Sequence, residues 1–454
     1  MILLVISLLS VFSSTGSLAY QHRAGNTFFY LFRQLKFILL GLAIIFFIHL
    51  IPYRLFSRLS VVALYVSVPL LILTLIAGTR INEAARWLQI PGTGLTIQPS
   101  DFAKVALVMY MARILAVNQP QIGDFKKVFG NLSLAIVITC ALILPANFST
   151  AIILFVTAFT LMFVGRVPVK YLLLMVFTGA FLLSVFIGGA LLLDKEGRIS
   201  TWKNRIEAYM DGEGDSYQAD QAKVAIVTGG LFGKGPGNST QRNLLPHPYS
   251  DFIYAIIIEE YGSLIGGLLM VALYMWLFFR AGLIIRRSRS TYGAFLAFGL
   301  CLGLVLQAFV NMAVAVGLVP VTGQTLPLVS MGGSSIFFTS MAAGMILSVS
   351  WGTEDLESEQ SNVESVKREQ EPLRGEEADQ SDRAAEEEKP EGSGGGPEVS
   401  PGRSPGKNPG GSGGSSGGGS EGSSGRSPGE KTNGTPGGRP GVGHSIEPDF
   451  EVNG

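Results

Sequence analysis

A lone carboxylate, Asp251, opens a long apolar run in the stretch LLPHPYSDFIYAIIIEEYG, residues 244–262. A charged side chain costs about 2.5–3.5 kcal/mol at the centre of a membrane-spanning helix and less near the interface, so an aspartate there indicates a use for its charge. A carboxylate within hydrogen-bond reach of a hydroxyl can act as a general base. Asp251 is therefore the candidate catalytic residue. An alternative stays open, in which Asp251 or Ser250 caps the N terminus of the helix.

Four polar clusters interrupt the apolar sequence, at residues 82–104, 144–150, 194–250 and 319–335. The loop charges considered below place all four on one side of the membrane. Irregular backbone at membrane depth is tolerated only where protein or a water-filled cavity covers it. The clusters therefore predict a single outward-facing cavity, with Asp251 at its edge.

The composition places the chain among membrane proteins. Of its 454 residues, 48% are hydrophobic and 15% are charged, which is typical of integral membrane proteins. The formal net charge of zero gives no indication of a nucleic-acid partner. Cys140 and Cys301 both lie in apolar runs, and we interpret them as buried small hydrophobic residues, not as a disulfide or a metal site.

Ten apolar runs approach the roughly 20 residues that a helix needs to cross a membrane, so we expect an all-α polytopic protein with ten transmembrane helices. The runs fall at about residues 1–19, 35–52, 59–78, 99–117, 131–146, 148–165, 170–193, 251–280, 291–316 and 334–351. The turn between the fifth and the sixth predicts a tight hairpin. The first run has a rival interpretation as a cleaved signal peptide, against which the lack of a preceding basic segment counts.

Basic residues in alternate short loops predict the orientation, because such loops stay in the cytoplasm. With both termini cytoplasmic, the large loop 194–250 between spans 7 and 8 is extracytoplasmic, and so is the end of the eighth span that carries Asp251. The basic residues of the predicted cytoplasmic loops are Arg54, Arg58, Lys126, Lys127, Arg166, Lys170, Arg280, Arg286, Arg287 and Arg289.

The chain divides into two parts of different composition. Residues 1–351 form the predicted membrane domain, whereas residues 352–454 are first charged and then rich in Gly, Ser and Pro. A segment of that kind cannot bury enough apolar surface to offset the entropy of ordering. We predict a disordered cytoplasmic tail.

Four segments of the membrane part together resemble the SEDS family (shape, elongation, division and sporulation). They are RWLQIPGTGLTIQPSDFAK, KVAIVTGGLFGKGPGNSTQ, LPHPYSDFIYAIIIEEYG and NMAVAVGLVPVTGQTLPLVSMGGSS. Members are ten-span glycosyltransferases that polymerise lipid II into peptidoglycan and work with a class B penicillin-binding protein as transpeptidase. The resemblance implies this activity and this partner, together with other proteins of the division machinery, in the bacterial cytoplasmic (inner) membrane. The motifs and the long tail are more similar to division-type than to elongation-type members.

The resemblance also implies roles for individual residues. Asp251 matches the family's essential aspartate, which activates the acceptor's sugar hydroxyl while undecaprenyl diphosphate leaves the donor. Cations in the first motif suit that diphosphate, although Lys104 has a structural alternative as the i,i+3 partner of Asp101. We predict substrate contacts from Arg86, Gln98, Ser100, Lys104, Glu259, Ser334 and Ser335.

Two further carboxylates, Glu259 and Glu260, follow Asp251 along the same apolar run. At about 100° per residue, Glu259 lies some 80° from the Asp251 face of a helix and Glu260 lies opposite it. We predict that Glu259 supports the site and that Glu260 satisfies a polar group on a neighbouring helix. Both would lie ~12 Å deeper than Asp251.

The sequence departs from the family pattern at two acidic positions. Asn147 replaces the acid of the turn between spans 5 and 6, and the acid that precedes the catalytic aspartate is absent from PHPYSD, near His247. A divalent cation, Mg²⁺ or Mn²⁺, is expected from the resemblance alone, and Asn147 places one of its ligands in doubt. The family's glycines in the large loop are kept, and we expect them to form tight turns that fold this loop over the cavity. They are Gly229, Gly230, Gly233, Gly235 and Gly237.

Three other functions stay open at this point. A lipid II flippase would carry its polar groups near the membrane midplane on broken helices, whereas here they gather at one face. An elongation-type polymerase would share the same motifs. A catalytically inactive scaffold would tolerate the loss of Asp251.

Overall fold

The computed structural model describes residues 1–16, 18–19, 26–81, 84–89, 96–193 and 217–352. The predicted tail from residue 353 onward and residues 194–216 of the predicted large loop lie outside the described residues. The described part is mainly helical. Its helices are α1 (Ile2–Ser14), α2 (Thr27–His49), α3 (Tyr53–Ala77), α4 (Pro99–Val117), α5 (Asn131–Ile143), α6 (Phe148–Val164), α7 (Val169–Leu193), α8 (Tyr217–Gly229), α9 (Ile253–Tyr261), α10 (Leu269–Arg287), α11 (Thr291–Ala315) and α12 (Gly333–Gly352).

Helix lengths and composition confirm a multi-pass membrane protein. In the described part, seven helical stretches are long and apolar enough to cross a membrane, and α1 and α6 are shorter apolar helices. Helix α4 carries Asp101, Lys104 and Arg113, which lower its hydropathy. The described residues of each predicted apolar run are mainly helical, while the count of ten crossings stays a prediction.

The second helix begins earlier than its hydropathy predicts. Helix α2 starts at Thr27, not near residue 35, and the Asn26 side chain accepts a hydrogen bond from the Phe29 N–H at 3.3 Å. An asparagine cap of this kind favours a helix start. The two cations Arg33 and Lys36 lie in the first three turns of α2. Apolar content therefore predicted only the later part of this helix.

The predicted eighth span is wrong as a single helix, because the chain reverses direction at Gly262. That glycine ends α9 with φ 80° and ψ 164°, and a π-helical turn, Gly262–Leu268, leads into α10. The Tyr254 hydroxyl donates a hydrogen bond to Gly267 O at 3.2 Å, although thirteen residues of straight helix would span about 20 Å. Helix α9 therefore folds back against the start of α10.

A small β-sheet between α3 and α4 is the one addition to the predicted all-α class in the described part. Its strands are β1 (Thr79–Ile81), β2 (Ala84–Gln89) and β3 (Thr96–Ile97), joined antiparallel in the order β1-β2-β3. Arg86 lies in the central strand at a register shift, between Ala85, which pairs with Arg80, and Trp87, which pairs with Thr79.

Two hydrophobic cores hold the described helices together. The larger one joins α3, α4, α5, α6, α11 and α12. The smaller one surrounds α9 with side chains of α1, α8, α10 and α11, including Val11, Ala222, Tyr274 and Met312. All α9 residues from Ile253 to Glu260 are buried. The helix that follows Asp251 is consequently packed on every side.

Candidate active site

The backbone around Asp251 is fixed by two other parts of the chain. The Asn311 Nδ2 atom on α11 donates to Asp251 O at 2.8 Å. From the segment before α12, the Ser330 hydroxyl donates to Ser250 O at 2.6 Å and the Met331 N–H donates to Tyr249 O at 2.9 Å. Hydrogen-bonded support of this kind places the carboxylate with little freedom to move.

Asp251 does not occupy the capping position that the sequence left open. Helix α9 begins at Ile253 with Phe252 as its N-cap residue, and that cap makes no side-chain hydrogen bond. The Ser250 hydroxyl donates to Asp251 Oδ1 at 2.9 Å. The carboxylate of Asp251 is half-buried. Its other oxygen, Oδ2, faces Gly323.

Arg86 and Asp251 meet at Gly323. A Cβ atom on this glycine would lie 3.4 Å from Arg86 Nη1 and 3.6 Å from Asp251 Oδ2. Gly323 has φ 64°, a backbone conformation that glycine adopts without strain. The Arg86 Nε atom donates to Ala146 O at 2.8 Å, which ties the guanidinium to the turn between α5 and α6. The structure thus brings the predicted base and a predicted phosphate-binding cation to one place.

Lys104 has the structural partner that the sequence left open. Its Nζ atom lies 2.8 Å from Asp101 Oδ1 and donates to Gln307 Oε1 at 2.9 Å. Gln307 Nε2 in turn donates to Thr325 O at 3.0 Å. Lys104 therefore helps to hold the segment before α12, and its predicted contact with substrate stays a prediction.

The remaining predicted contacts lie at the starts of α4 and α12. Gln98 Nε2 donates to the Ser100 hydroxyl at 3.0 Å, and Ser100 lines a small pocket together with Arg86. Ser335 Oγ lies 3.0 Å from Thr325 Oγ1. Among the described residues the buried Ser334 hydroxyl has no hydrogen-bond partner. These side chains border the same end of the bundle as Asp251, while their predicted roles stay predictions.

Three residues that build the site were not predicted from the sequence, Asn311, Gln324 and Ser330. Asn311 Nδ2 also donates to Gln324 O at 2.6 Å. Gln324 Nε2 donates to Thr150 Oγ1 at 2.9 Å and to Asn147 Oδ1 at 3.2 Å. Asn311 stands in the apolar run of α11, and this could have marked it as a structural residue. Polar groups inside membrane helices are costly unless they have partners.

Glu259 is bound by the loop that follows α8. It is 0% exposed and accepts hydrogen bonds from Lys234 Nζ at 2.6 Å and from the Thr240 N–H at 3.0 Å. The Ser239 hydroxyl also donates to it. These contacts fix the loop that follows α8 onto α9, and the prediction that Glu259 binds substrate stays untested.

The predicted depth of the two glutamates is wrong, because α9 does not continue toward the far end of the bundle. The chain turns at Gly262 and descends only through α10, whose Tyr274 hydroxyl donates to Pro327 O at 2.5 Å. Glu260 does meet a neighbouring helix, as predicted, since it accepts from the Ser13 hydroxyl on α1. Arg242 Nη1 donates to Ser13 O at 3.2 Å on the same helix.

The glycines of the loop after α8 form tight turns, as expected. Gly230, Gly233, Gly235 and Gly237 all have φ between 57° and 92°, whereas the fifth predicted glycine, Gly229, is the last residue of helix α8. The loop packs on the end of α9, where Lys234 N donates to Glu259 O at 2.9 Å and Gly235 N donates to Glu260 O at 2.9 Å. The loop is therefore fixed on the C-terminal end of α9, while its predicted place over the cavity stays a prediction.

Tyr249 precedes Asp251 by two residues, and its phenol lies within electrostatic reach of Asp251 and of Tyr30 and Arg33 on helix α2. Burial raises the pKa of its phenol, and the charges of Tyr30 and Asp251 raise it further, whereas Arg33 opposes the shift. His247 Nδ1 lies 3.2 Å from the Tyr249 hydroxyl. The phenol therefore stays protonated at neutral pH and can donate a hydrogen bond near the carboxylate.

The site residues do not form a closed cage for a metal ion. Over the described ranges, no three His, Cys, Asp or Glu side chains stand close enough to hold a cation. Asn147, at the position where the family has an acid, uses its Oδ1 to accept from the Thr150 N–H at 3.2 Å and from Gln324. Its side chain therefore serves as a helix cap.

Comparison with known proteins agrees with the four sequence motifs. The model of the FtsW/RodA/SpoVE family, described as cell cycle proteins, matches residues 1–355. The chain belongs to this family. Stage V sporulation protein E of Bacillus subtilis is 35% identical over 77% of this chain and 94% of its own length. A protein of Alcanivorax borkumensis named "Probable peptidoglycan glycosyltransferase FtsW" is 32% identical over 76% of this chain and 90% of its own.

Solved structures of the family have the same fold. A chain from a peptidoglycan synthase complex, described as coordinating polymerization and crosslinking, is 26% identical, with a TM-score of 0.59 over 77% of this chain and 97% of that one. The rod shape determining protein RodA of Thermus thermophilus is 25% identical, with a TM-score of 0.54 over 77% of this chain and 94% of that one. The resemblance that the motifs indicated is confirmed.

Proposed function

We propose that the protein is a peptidoglycan glycosyltransferase that polymerises lipid II into glycan strands. The observation that carries the proposal is the meeting of Asp251 Oδ2 and Arg86 Nη1 at Gly323. A glycosyl transfer needs a base for the attacking hydroxyl and a cation for the departing diphosphate. Relatives named as probable peptidoglycan glycosyltransferases support the same activity.

The geometry suits one balanced step. Asp251 accepts the proton of the acceptor's sugar hydroxyl as that oxygen bonds to the anomeric carbon of the donor. The bond between that carbon and the donor's diphosphate breaks, and undecaprenyl diphosphate leaves with the bonding electrons. Arg86 stabilises the negative charge that develops on the leaving group.

Septal synthesis during cell division is the role we propose within the family. The matching family model is described as cell cycle proteins and one relative carries a sporulation name, and the long polar tail agrees with a division-type member. The same active-site chemistry would serve an elongation-type polymerase, so the assignment rests on these names and on the tail.

A class B penicillin-binding protein is the proposed partner, together with other division proteins, because one solved relative belongs to a peptidoglycan synthase complex. We place the chain in the bacterial inner membrane with both termini in the cytoplasm. The last turn of α10 carries Arg286 and Arg287, far from Asp251, and basic residues favour the cytoplasmic side.

A divalent cation fits only together with substrate. Mg²⁺ is commonly held by one or two carboxylates and by substrate phosphates. Asp251 is a carboxylate that the structure brings to the Arg86 side, so a cation there would take its other ligands from the diphosphate. No step of the proposed mechanism depends on it.

The deciding experiment is polymerisation of labelled lipid II by the purified full chain with its transpeptidase partner. Asp251→Asn is nearly isosteric and removes the proton acceptor, so we expect a loss of about 10²–10⁴-fold in turnover with unchanged thermal stability. Substantial polymerisation by a well-folded variant would refute the role of Asp251. Lipid II transport into vesicles without polymerisation, measured in parallel, would instead support a flippase.

A further inference from the structure

Three buried polar side chains form a closed hydrogen-bonded ring between the start of α6 and the segment before α12. Asn147 Oδ1 accepts from the Thr150 N–H and from Gln324 Nε2, each at 3.2 Å. Gln324 Nε2 also donates to Thr150 Oγ1 at 2.9 Å. Because this nitrogen has two hydrogens, its donors are both used within the ring. The three residues are 4%, 1% and 5% exposed, and a buried polar network that is fully paired holds its segments rigidly.

One side of this ring continues to Arg86. Ala146, the residue before Asn147, accepts from Arg86 Nε at 2.8 Å. The Ala146 N–H and the Asn147 N–H both donate to Ile143 O, at 3.0 and 2.8 Å, so the two residues belong to one tight turn. Arg86 and Asn147 also line the same small cavity. A shift of this turn would therefore move the guanidinium.

The other side of the ring continues to Asp251. Gln324 O accepts from Asn311 Nδ2 at 2.6 Å, and the same nitrogen donates to Asp251 O at 2.8 Å. Gly323, which precedes Gln324, is the residue that faces both Arg86 Nη1 and Asp251 Oδ2. One asparagine side chain therefore joins Gln324 to the proposed base, and one turn joins it to the proposed phosphate-binding cation.

We propose that Asn147 and Gln324 are a pair of positioning residues that set the distance between Arg86 and Asp251. The inference rests on the proposed function, because glycosyl transfer needs the base and the cation at a fixed spacing, and a misplacement of about 1 Å can cost roughly 10²-fold in rate. Neither side chain has to touch the substrate for this role. The amide at position 147 accepts from Gln324 without adding a negative charge to the turn that holds Arg86.

Steady-state polymerisation of labelled lipid II by the full chain with its transpeptidase partner tests the pair. Gln324→Met keeps the length of the side chain and the backbone carbonyl, and it removes both donors of Nε2. We expect kcat to fall about 10–100-fold, with KM within about threefold of the wild-type value. The control is Thr157→Val, which removes a buried hydroxyl whose hydrogen bond to Ile153 O lies within α6. It should leave kcat and KM unchanged.

Asn147→Ser separates capping from pairing. Serine is about as good a helix N-cap as asparagine, but its side chain is one atom shorter and reaches less far toward Gln324. We expect an unfolding temperature close to that of the wild type and a kcat about tenfold lower. In N147S/Q324M, kcat should be no lower than in Q324M alone, because both changes break the same contact. Losses that multiply, or a wild-type kcat in either single variant, would overturn the proposal.

Amide hydrogen exchange gives a second measurement that needs no turnover. In Gln324→Met, the backbone amides of residues 249–253 should exchange about tenfold faster than in the wild type, because the segment that holds Asp251 is loosened. Unchanged exchange there would overturn the proposal. If the wild type does not polymerise lipid II, the proposed function fails, while the exchange comparison still tests the pair. If Gln324→Met does not fold, Thr150→Val removes one of its two acceptors and should lower kcat by a smaller factor, and an unchanged kcat would overturn the proposal.

Discussion

At the residue scale, two different nitrogen atoms of the Arg86 guanidinium face two different parts of the site, which the single nitrogen of a lysine could not do. Its Nε atom is occupied by Ala146 O, while Nη1 lies by Gly323 near Asp251. A lysine at this position has one nitrogen and cannot reach both places. Charge alone therefore does not account for the position of this side chain.

Arg86→Lys should accordingly impair polymerisation although the charge is kept. One lost hydrogen bond to a charged group is worth about 1.5–3 kcal/mol, so we expect kcat/KM to fall about 10–100-fold. Lys104→Arg is the matched exchange at a neighbouring cation and should be milder. Wild-type kinetics for Arg86→Lys would place the diphosphate site elsewhere.

Asp101→Asn tests the structural role of the neighbouring ion pair. It removes the carboxylate that lies 2.8 Å from Lys104 Nζ and leaves the contact with Gln307. We expect a lower midpoint of thermal unfolding, with KM for lipid II unchanged. A raised KM at unchanged stability would show that Lys104 or Asp101 contacts the substrate.

At the element scale, the sequence predicted which segments are helical but not how they turn. Apolar content and length are local properties, so the helices could be located. The reversal at Gly262 lies inside an apolar run and could not be recognised from periodicity. The contacts of Asn311 and Gln324 join segments far apart in the chain, and local sequence patterns do not reveal which distant segments meet. Arg86 and Asp251 were singled out, but their meeting at Gly323 was not.

Gly262→Ala should disrupt the reversal between α9 and α10. At φ 80° a side chain is strained, and a Cβ atom would collide with the Leu231 carbonyl oxygen. We expect a strongly lowered unfolding temperature and loss of activity together. The control is Gly282→Ala, inside α10 with open space around it, which should be neutral or stabilising by roughly 0.5–1 kcal/mol. Equal behaviour of the two variants would contradict the hairpin.

At the scale of the whole molecule, the described residues contain both cores and the pair Asp251 and Arg86 of the candidate site. Helix α12 ends at Gly352 and has 67% of its apolar window buried. The composition of the following hundred or so residues predicts no packed core. We therefore expect that catalysis does not require the tail.

Truncation after residue 355 should leave turnover of lipid II in detergent close to that of the full chain. Truncation after residue 340 is the contrasting case, because it removes half of α12 from the larger core. We expect that shorter chain to lose both stability and activity. A large loss of turnover in the longer truncation would show that the tail contacts the catalytic part.

One contact links the first helix to the segment that precedes α12. The Ser7 hydroxyl on α1 donates to Val329 O at 2.8 Å across 322 residues, and the neighbouring Ser330 holds the catalytic segment. A ribosome adds about 5–20 residues per second, so α1 waits on the order of tens of seconds for this partner. Until then its buried serines face lipid or the insertion machinery. The polymerase therefore has no assembled catalytic centre during most of its own synthesis, and a nascent chain cannot consume its substrate.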